Sequence, residues 1–292
     1  MQQQSIADRF GWEAIVDLAL REDIGTGDIT TLSTVPAGTN AHADLLAKAD
    51  GVISGIDVAQ SVFHRVDPTL TFSGFAENGT RVTSGTRFGR ISGNARSLLT
   101  AERTALNLLQ RLSGVATITA EYVAAVAGTG AQVIDTRKTT PGLRLLEKRA
   151  VADGGGRNHR FGLSDGVLIK DNHLEAVGGA DRVTRAIEQA RQVAPHTLRI
   201  EVEVSTLAEC EEAIAANADI ILLDNMTTTM MADAVILRDQ TGSRALLEAS
   251  GGVTLTRLRE IAETGVDLIS VGALTHSAPS LDISLELVLD LE

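Results

Sequence analysis

Arg137, Lys138 and Lys170 each stand just after a short apolar run, Val133-Ile134 for the first two and Gly166-Val167-Leu168-Ile169 for the third. The stretch 133–173 holds eight Lys/Arg against five Asp/Glu, in a chain whose formal net charge is -12. Thr136, Arg144, Lys148, Arg149, a triple glycine at 154–156 and Asn158-His159-Arg160 complete it. Guanidinium and ammonium groups bind carboxylates and phosphates through charge-assisted hydrogen bonds, so cations delivered by the ends of buried strands suit a small polyanion. Any one basic residue more often belongs to a solvated surface. The position of these three directly after apolar runs, where side chains are partly enclosed, favours an anion site. Lys148, in a helix-like stretch, is expected to face solvent.

Carboxylates and glycines recur at comparable places. Glu201 and Glu203 alternate on one apparent strand, so their side chains share a face. Such a pair either forms structural ion pairs or, with Asp224, holds ribose hydroxyls or Mg²⁺ carried by a polyphosphate. Ala249-Ser250-Gly251-Gly252 and Val271-Gly272-Ala273-Leu274 follow the last two apolar runs. Backbone N–H groups exposed there, with a helix opening at Thr254, suit a phosphate. Asp171 and His173 suggest a local hydrogen-bonding turn before they suggest a metal site. The chain has no HExxH or Walker A run, and its one cysteine, Cys210, excludes a disulfide framework and a Cys-rich metal site. Cys210 lies on an apparent helix and is expected in the core. Without an activated nucleophile, the constellation suits positioning and charge stabilisation.

These residues need elements to hold them, and 292 residues suffice for two domains. Hydrophobic residues at 43% and charged residues at 22% are ordinary for a globular protein. No apolar run reaches the ~18–20 residues of a membrane span, and the opening MQQQSIADRFGW lacks the layout of a signal peptide. A pI near 5.0 disfavours nucleic acid and anionic membranes as partners. The expected location is the cytoplasm.

Helical spacing over 11–22 precedes short strand-like pieces at Ala43–Lys48, Gly51–Ile56, Leu70–Phe75 and Arg81–Arg90, the pattern of an α+β domain. From Arg96 an apolar helical face runs to Leu112, Gly114 interrupts it, and a second helix follows through Val126. Beyond it, apolar runs end at Thr136, Ile169, Val204, Leu223, Ala249 and Val271, with helical patterns between the later ones. Thr206-Leu-Ala-Glu209 is a capping box opening one of those helices. Alternating strands and helices imply parallel strands with right-handed crossovers. Polar, charged or glycine residues follow every run, which is where a parallel barrel builds its site. Six runs fall short of the eight of a closed barrel, so the expected fold is an incomplete parallel α/β barrel plus an N-terminal α+β domain. The expected ranges are 1–113 for the N-terminal domain, joined by 278–292, and 114–277 for the barrel.

The segments LREDIGTGDITT, AERTALNLLQRLSG, DTRKTTPGLRLLEKRAV, GGGRNHRFGLSDGVLIKDNH, EVEV, ILLDN, EASGG and VGALTHS closely resemble the quinolinate phosphoribosyltransferase family, in order from about Leu20 to Ser277. The resemblance implies transfer of ribose 5-phosphate from phosphoribosyl pyrophosphate to quinolinate, yielding nicotinate mononucleotide, CO₂ and pyrophosphate in NAD biosynthesis. It implies quinolinate binding by Arg103, Arg137, Arg160 and Lys170, with Lys138 meeting quinolinate or departing pyrophosphate. Glu203 and Asp224 match family residues near the ribose and Mg²⁺, with Glu201 a secondary candidate. Ser250, Gly251, Gly252, Gly272, Ala273 and Leu274 match phosphate-binding turns, and His159 and His276 assist. Thr136 joins the substrate-binding set, and Lys138, Lys170, Glu203 and Asp224 form the catalytic set. The family also implies a homodimer with shared active sites, or a hexamer of such dimers, because Arg103 reaches the neighbouring subunit's site. Rivals are a molybdenum-transport-associated relative or a nicotinate-specific transferase, and a non-catalytic phosphometabolite-binding protein. Four basic residues favour a dicarboxylate acceptor over nicotinate, and retained Lys138, Glu203 and Asp224 argue against a mere binder.

Overall fold

A computed structural model describes residues 11–290. In chain order the elements are α1 (Glu13–Ile24), α2 (Ile29–Thr34), β1 (Asn40–Ala47), β2 (Gly51–Val52), α3 (Ile56–Val66), β3 (Thr71–Ser73), β4 (Arg81–Val82), β5 (Arg87–Asn94) and α4 (Ala95–Ala125). There follow β6 (Gln132–Ile134), α5 (Arg144–Asp153), β7 (Val167–Ile169), α6 (Asp171–Val177), α7 (Arg182–Val193), β8 (Ile200–Val204), α8 (Leu207–Ala215) and β9 (Ile220–Asp224). The last are α9 (Thr228–Thr241), β10 (Leu246–Ser250), α10 (Leu255–Ala262), β11 (Leu268–Ser270), α11 (Ala273–His276) and β12 (Ile283–Leu289). Among the described residues no helix is long and apolar enough to cross a membrane.

The chain falls into two compact units. One contains the described residues up to Ala120, Thr139–Gly155 and the residues from Leu274; the other contains Glu121–Lys138 and Gly156–Ala273. These limits differ from the ranges expected from sequence, chiefly because α5 goes with the first unit. Its Arg149 donates two hydrogen bonds to Asp57 at 2.7 and 2.5 Å, and its Asp153 accepts one from Ser54 at 2.5 Å. Residues 1–10 and 291–292 of the expected first domain lie outside the described residues.

In the first unit, antiparallel strands run in the order β12-β1-β5-β3. Where two helices were expected around Gly114, α4 is one unbroken helix of 31 residues. A Cβ at Gly114 would collide with the Pro279 carbonyl, so this glycine serves close backbone approach rather than a break. Lys148, expected to face solvent, is fully buried.

The second unit is built on six parallel strands in the order β6-β11-β10-β9-β8-β7. Strands β7 to β11 lie in chain order and β6 follows β11, which is the order of a barrel left open between β6 and β7. Among the described residues Arg157 lies against the free side of β6. It makes one parallel bridge to Ile134, donating to Val133 O at 2.9 Å and accepting from Asp135 N at 3.0 Å. The β6–β7 connection spends its helix, α5, in the other unit, so no full strand completes the ring. The incomplete barrel expected from six apolar runs is therefore present. Its strands end at Ile134, Ile169, Val204, Asp224, Ser250 and Ser270, all within two residues of the expected ends.

Amphipathic helices cover the strands. On α7, Val183, Ala186 and Ile187 are buried at helical spacing. At α8 the Thr206 side chain accepts from Glu209 N at 3.2 Å, while the Glu209 carboxylate accepts from Ser205 N at 3.0 Å. Cys210 is buried on the same helix, and burial pushes its thiol up to about 11, which suits a core residue and not a nucleophile.

Candidate active site

The C-terminal ends of the six strands surround a cavity of about 560 Å³, here the upper cavity. Alternation in each strand decides which side chains enter it. β6 delivers Thr136, Arg137 and Lys138; β7 delivers Leu168 and Lys170; β8 delivers Glu203; β9 delivers Leu222, Asp224 and Asn225. β10 contributes Glu248, Ser250, Gly251 and Gly252, β11 contributes Ser270, and the segment beside β6 adds His159 and Arg160.

That segment is tied down by Asp135, which is fully buried immediately after β6. Its carboxylate accepts from Asn158 Nδ2 at 2.7 Å and from the His159 N–H at 2.8 Å. Arg160 donates through Nη1 to Gly166 O at 3.1 Å. Burial pulls its guanidinium below the ordinary arginine range, and the positive charge of Arg137 acts in the same direction. Two guanidinium groups thus repel each other across one cavity, a situation that a bound anion relieves. At the ends of β7 and β8 Lys170 Nζ meets Glu203 Oε2 at 3.0 Å. Asp224 accepts from Asn225 Nδ2 at 2.8 Å.

The turn after β10 exposes backbone. Gly251 and Gly252 have φ of +88° and +58°, in the left-handed region, and Asn225 packs where a Gly251 side chain would stand. Glycine is therefore required there. At the β7 end, His173 Nδ1 accepts from Lys170 N at 2.9 Å and Asp171 Oδ1 accepts from Asn172 N at 2.7 Å, the local turn expected of these residues.

The strands also enclose a second, lower cavity of about 610 Å³, reached from their N-terminal ends and lined by Gln132, Arg199, Ile220, Leu246 and Leu268. His159, Arg160 and Glu248 line both cavities. Glu201 lines only the lower one, a layer deeper than Glu203, and its Oε2 lies 3.1 Å from His159 Nε2. Because Arg160 N donates to His159 Nδ1 at 2.7 Å, the ring proton sits on Nε2 and points towards Glu201. Glu248 Oε2 lies 3.8 Å from the same Nε2. Burial, then the Glu201 charge, pushes the Glu248 carboxyl up to about 8, with His159 opposing the shift.

Of the residues singled out from sequence, Thr136, Arg137, Lys138, His159, Arg160, Lys170, Glu203, Asp224, Ser250, Gly251 and Gly252 meet at the upper cavity. Gly272 and Ala273 follow β11 in the same unit. Arg103, exposed on α4, and Leu274 and His276 on α11 belong to the first unit. His276 is exposed, with Nδ1 2.6 Å from Ser277 Oγ. Glu248 was not anticipated. Its one sequence signal is an acid in the middle of the apolar run LLEAS.

Two family models match the chain: "Quinolinate phosphoribosyl transferase, N-terminal domain" over residues 28–113 and "Quinolinate phosphoribosyl transferase, C-terminal domain" over 115–286. A Synechocystis protein described as a probable nicotinate-nucleotide pyrophosphorylase [carboxylating] is 48% identical over 269 residues, covering 92% of this chain and 90% of that protein. The chloroplastic nicotinate-nucleotide pyrophosphorylase [carboxylating] of Arabidopsis thaliana is 43% identical over 291 residues, covering 94% of this chain and 82% of its own length. The crystal structure of NadC from Streptococcus pyogenes superposes with a TM-score of 0.90 at 45% identity, over 96% of this chain and 97% of that one.

Proposed function

The chain belongs to the quinolinate phosphoribosyltransferase family, and we infer that it transfers ribose 5-phosphate from phosphoribosyl pyrophosphate to quinolinate with decarboxylation. The products are nicotinate mononucleotide, CO₂ and pyrophosphate, and the reaction serves NAD biosynthesis. One observation carries the assignment on the structural side: Arg137 and Arg160 repel each other at a cavity that Lys138, Lys170, Glu203 and Asp224 also line.

Quinolinate brings two adjacent carboxylates, and Arg137, Arg160 and Lys170 offer them planar forks and a point charge. Thr136 Oγ1 accepts from Lys138 N at 3.0 Å, which holds the turn that presents Lys138 to the acceptor or the departing pyrophosphate. The glycine turns at Ser250-Gly251-Gly252 and Gly272-Ala273 offer N–H groups to the phosphates. As pyrophosphate leaves, positive charge develops at the ribose C1, and Glu203 and Asp224 stabilise it from the same side of the cavity. The ring nitrogen attacks C1, and the resulting pyridinium is the electron sink for loss of the neighbouring carboxylate. No nucleophile from the protein is needed.

Glu203 and Asp224 also fit Mg²⁺, which prefers hard oxygen donors and arrives with the polyphosphate. When bound, the ion offsets charge on the leaving pyrophosphate. Arg103 is the one proposed quinolinate ligand outside the second unit, and its exposure on α4 leaves it available to a second copy of the chain. We take the enzyme to be a homodimer with shared sites, with His276 assisting beside the phosphate turn, and to work in the cytoplasm.

Purified protein, supplied with phosphoribosyl pyrophosphate, Mg²⁺ and either quinolinate or nicotinate, tests the reaction directly. CO₂ release with quinolinate is expected; nucleotide formation from nicotinate alone would reject the acceptor, and no turnover with either would reject the transferase. Mixing inactive Arg103→Ala and Lys138→Ala chains tests the shared site. After random exchange about half the dimers are mixed, so roughly a quarter of sites regain activity. No recovery in demonstrated mixed dimers would reject the sharing.

A further inference from the structure

Loss of CO₂ from the pyridinium leaves an electron pair on the ring carbon, and the product carries a hydrogen there, so each turnover requires a proton. This requirement rests on the reaction inferred above, and two of the donors assigned so far are engaged elsewhere. Lys170 is paired with Glu203, and the His159 Nε2 proton faces Glu201.

Glu248 is placed differently. It sits in the middle of β10 between the two cavities, and it lines both. The carboxyl is 1% exposed, and among the described residues neither oxygen has a hydrogen bond of good geometry, the Ser270 hydroxyl being only a weak neighbour. The charged or titratable groups facing it are Glu201 from β8 and His159 and Arg160 from the segment beside β6. β9 and β11 present uncharged Leu222 and Ser270.

We propose that Glu248 is the acid that protonates the ring carbon vacated by CO₂, and that it recovers its proton from solvent through the lower cavity. The bond from the ring carbon to its carboxylate breaks, and its electron pair stays on that carbon beside the quaternised nitrogen. The Glu248 O–H bond then breaks, a C–H bond forms, and Glu248 is left as a carboxylate. Solvent returns one proton, so the cycle takes up one proton from the medium for each CO₂ released. Two features suit the carboxyl to this task. Burial and the Glu201 charge keep it protonated near neutral pH, with a value of about 8 that is well matched to donation there. The rim of the lower cavity carries exposed Thr197, Arg199 and Arg157, so water reaches Glu248 without passing the substrate.

The test compares full-length wild type, Glu248→Gln and Glu248→Asp by release of CO₂ and of pyrophosphate across neutral and alkaline pH. Wild-type kcat is expected to fall as pH rises through about 8. Glu248→Gln is expected to lower kcat by about 100-fold or more, to keep the quinolinate KM within about threefold, and to lose the alkaline fall. Glu248→Asp should retain an alkaline fall at a reduced rate, and it carries the test alone should the Gln variant not fold. Leu246→Trp, which fills the lower cavity, should slow repeated turnover while leaving the first pyrophosphate released per site at its normal rate. If the wild type releases CO₂ and Glu248→Gln keeps more than about a third of kcat, the proton donor is wrong. A slow Gln variant with the wild-type alkaline fall intact would also overturn it, by reducing Glu248 to a structural role. Unchanged repeated turnover in Leu246→Trp would overturn the return route. Absence of CO₂ release from the wild type would instead remove the reaction itself.

Discussion

Glu147 and Glu248 are both carboxyl groups withdrawn from water, one in each unit, and they are treated in opposite ways. Glu147 Oε1 accepts from Arg111 at 3.1 and 2.7 Å and from Thr140 Oγ1 at 2.7 Å, and Oε2 accepts from Thr140 N at 2.9 Å. Arg111 in turn donates to Ala278 O at 2.8 Å and to Thr275 O. This clamp ties α4, the approach to α5 and the segment before β12 into one unit. Among the described residues Glu248 has no hydrogen bond of good geometry to either oxygen, only the Ser270 hydroxyl close by, and a second acid stands nearby. A buried acid retained for architecture is saturated with donors, because an unpaired one is costly. One left largely unsaturated beside a cavity fits the chemical role proposed for Glu248.

The comparison can be broken most severely at the clamp. Arg111→Met strands the Glu147 carboxylate, and urea denaturation should show a loss of about 3–5 kcal/mol. A loss below about 1 kcal/mol would mean that Glu147 resembles Glu248 after all. The next effect concerns activity. Arg160→Lys keeps charge and loses the planar fork, so kcat/KM for quinolinate should fall by about 30- to 100-fold, about 2–3 kcal/mol, with the melting temperature nearly unchanged. Near-normal kinetics would remove Arg160 from the carboxylate grip.

A smaller and pH-dependent effect belongs to Glu248. Its folded-state value lies above that of the unfolded chain, so its contribution is complete at acid pH and is lost as pH rises towards about 8. The melting temperature of Glu248→Gln relative to wild type should therefore climb between weakly acid and weakly alkaline pH and then level off. A constant difference would show that burial does not hold this carboxyl neutral. The least effect is expected at Gly251→Ala, where the left-handed backbone and the contact with Asn225 should cost about 1–2 kcal/mol of stability. The Michaelis constant for phosphoribosyl pyrophosphate should rise alongside; an unchanged one would separate this turn from the phosphates.

Much of the barrel was legible because its strands are apolar runs that stop at functional residues. Arg137, Lys138, Lys170 and Asp224 follow that rule, and with Glu203 they reach the upper cavity. Depth along a strand was not legible. Glu201 and Glu203 share a face, yet Glu203 reaches the rim and Glu201 the interior, a distinction set by how far each strand is staggered against its neighbours. Glu248 was missed for the same reason. α3 went unnoticed between strand-like pieces although Val58, Ala59, Val62 and Phe63 form its buried face. The buried Lys148 and the place of α5 depend on contacts such as Ser54 to Asp153, 99 residues apart, which no local pattern encodes.

The pairing of β1 with β12 carries a consequence for how the chain is made. Ala41 to Ala47 register against Leu289 to Ile283, so an inner strand of the first sheet waits for almost the last described residues. Synthesis proceeds from the N-terminus, and β1 has only β5 beside it until β12 emerges from the ribosome. Throughout translation β1 is an open edge of largely apolar residues, the kind of surface that recruits other strands. The barrel strands, neighbours mostly consecutive in sequence, close shorter loops and can pair earlier. The first of the described strands is thus among the last to be sealed, and early termination before Ile283 should yield chains that aggregate even though the whole barrel sequence is present.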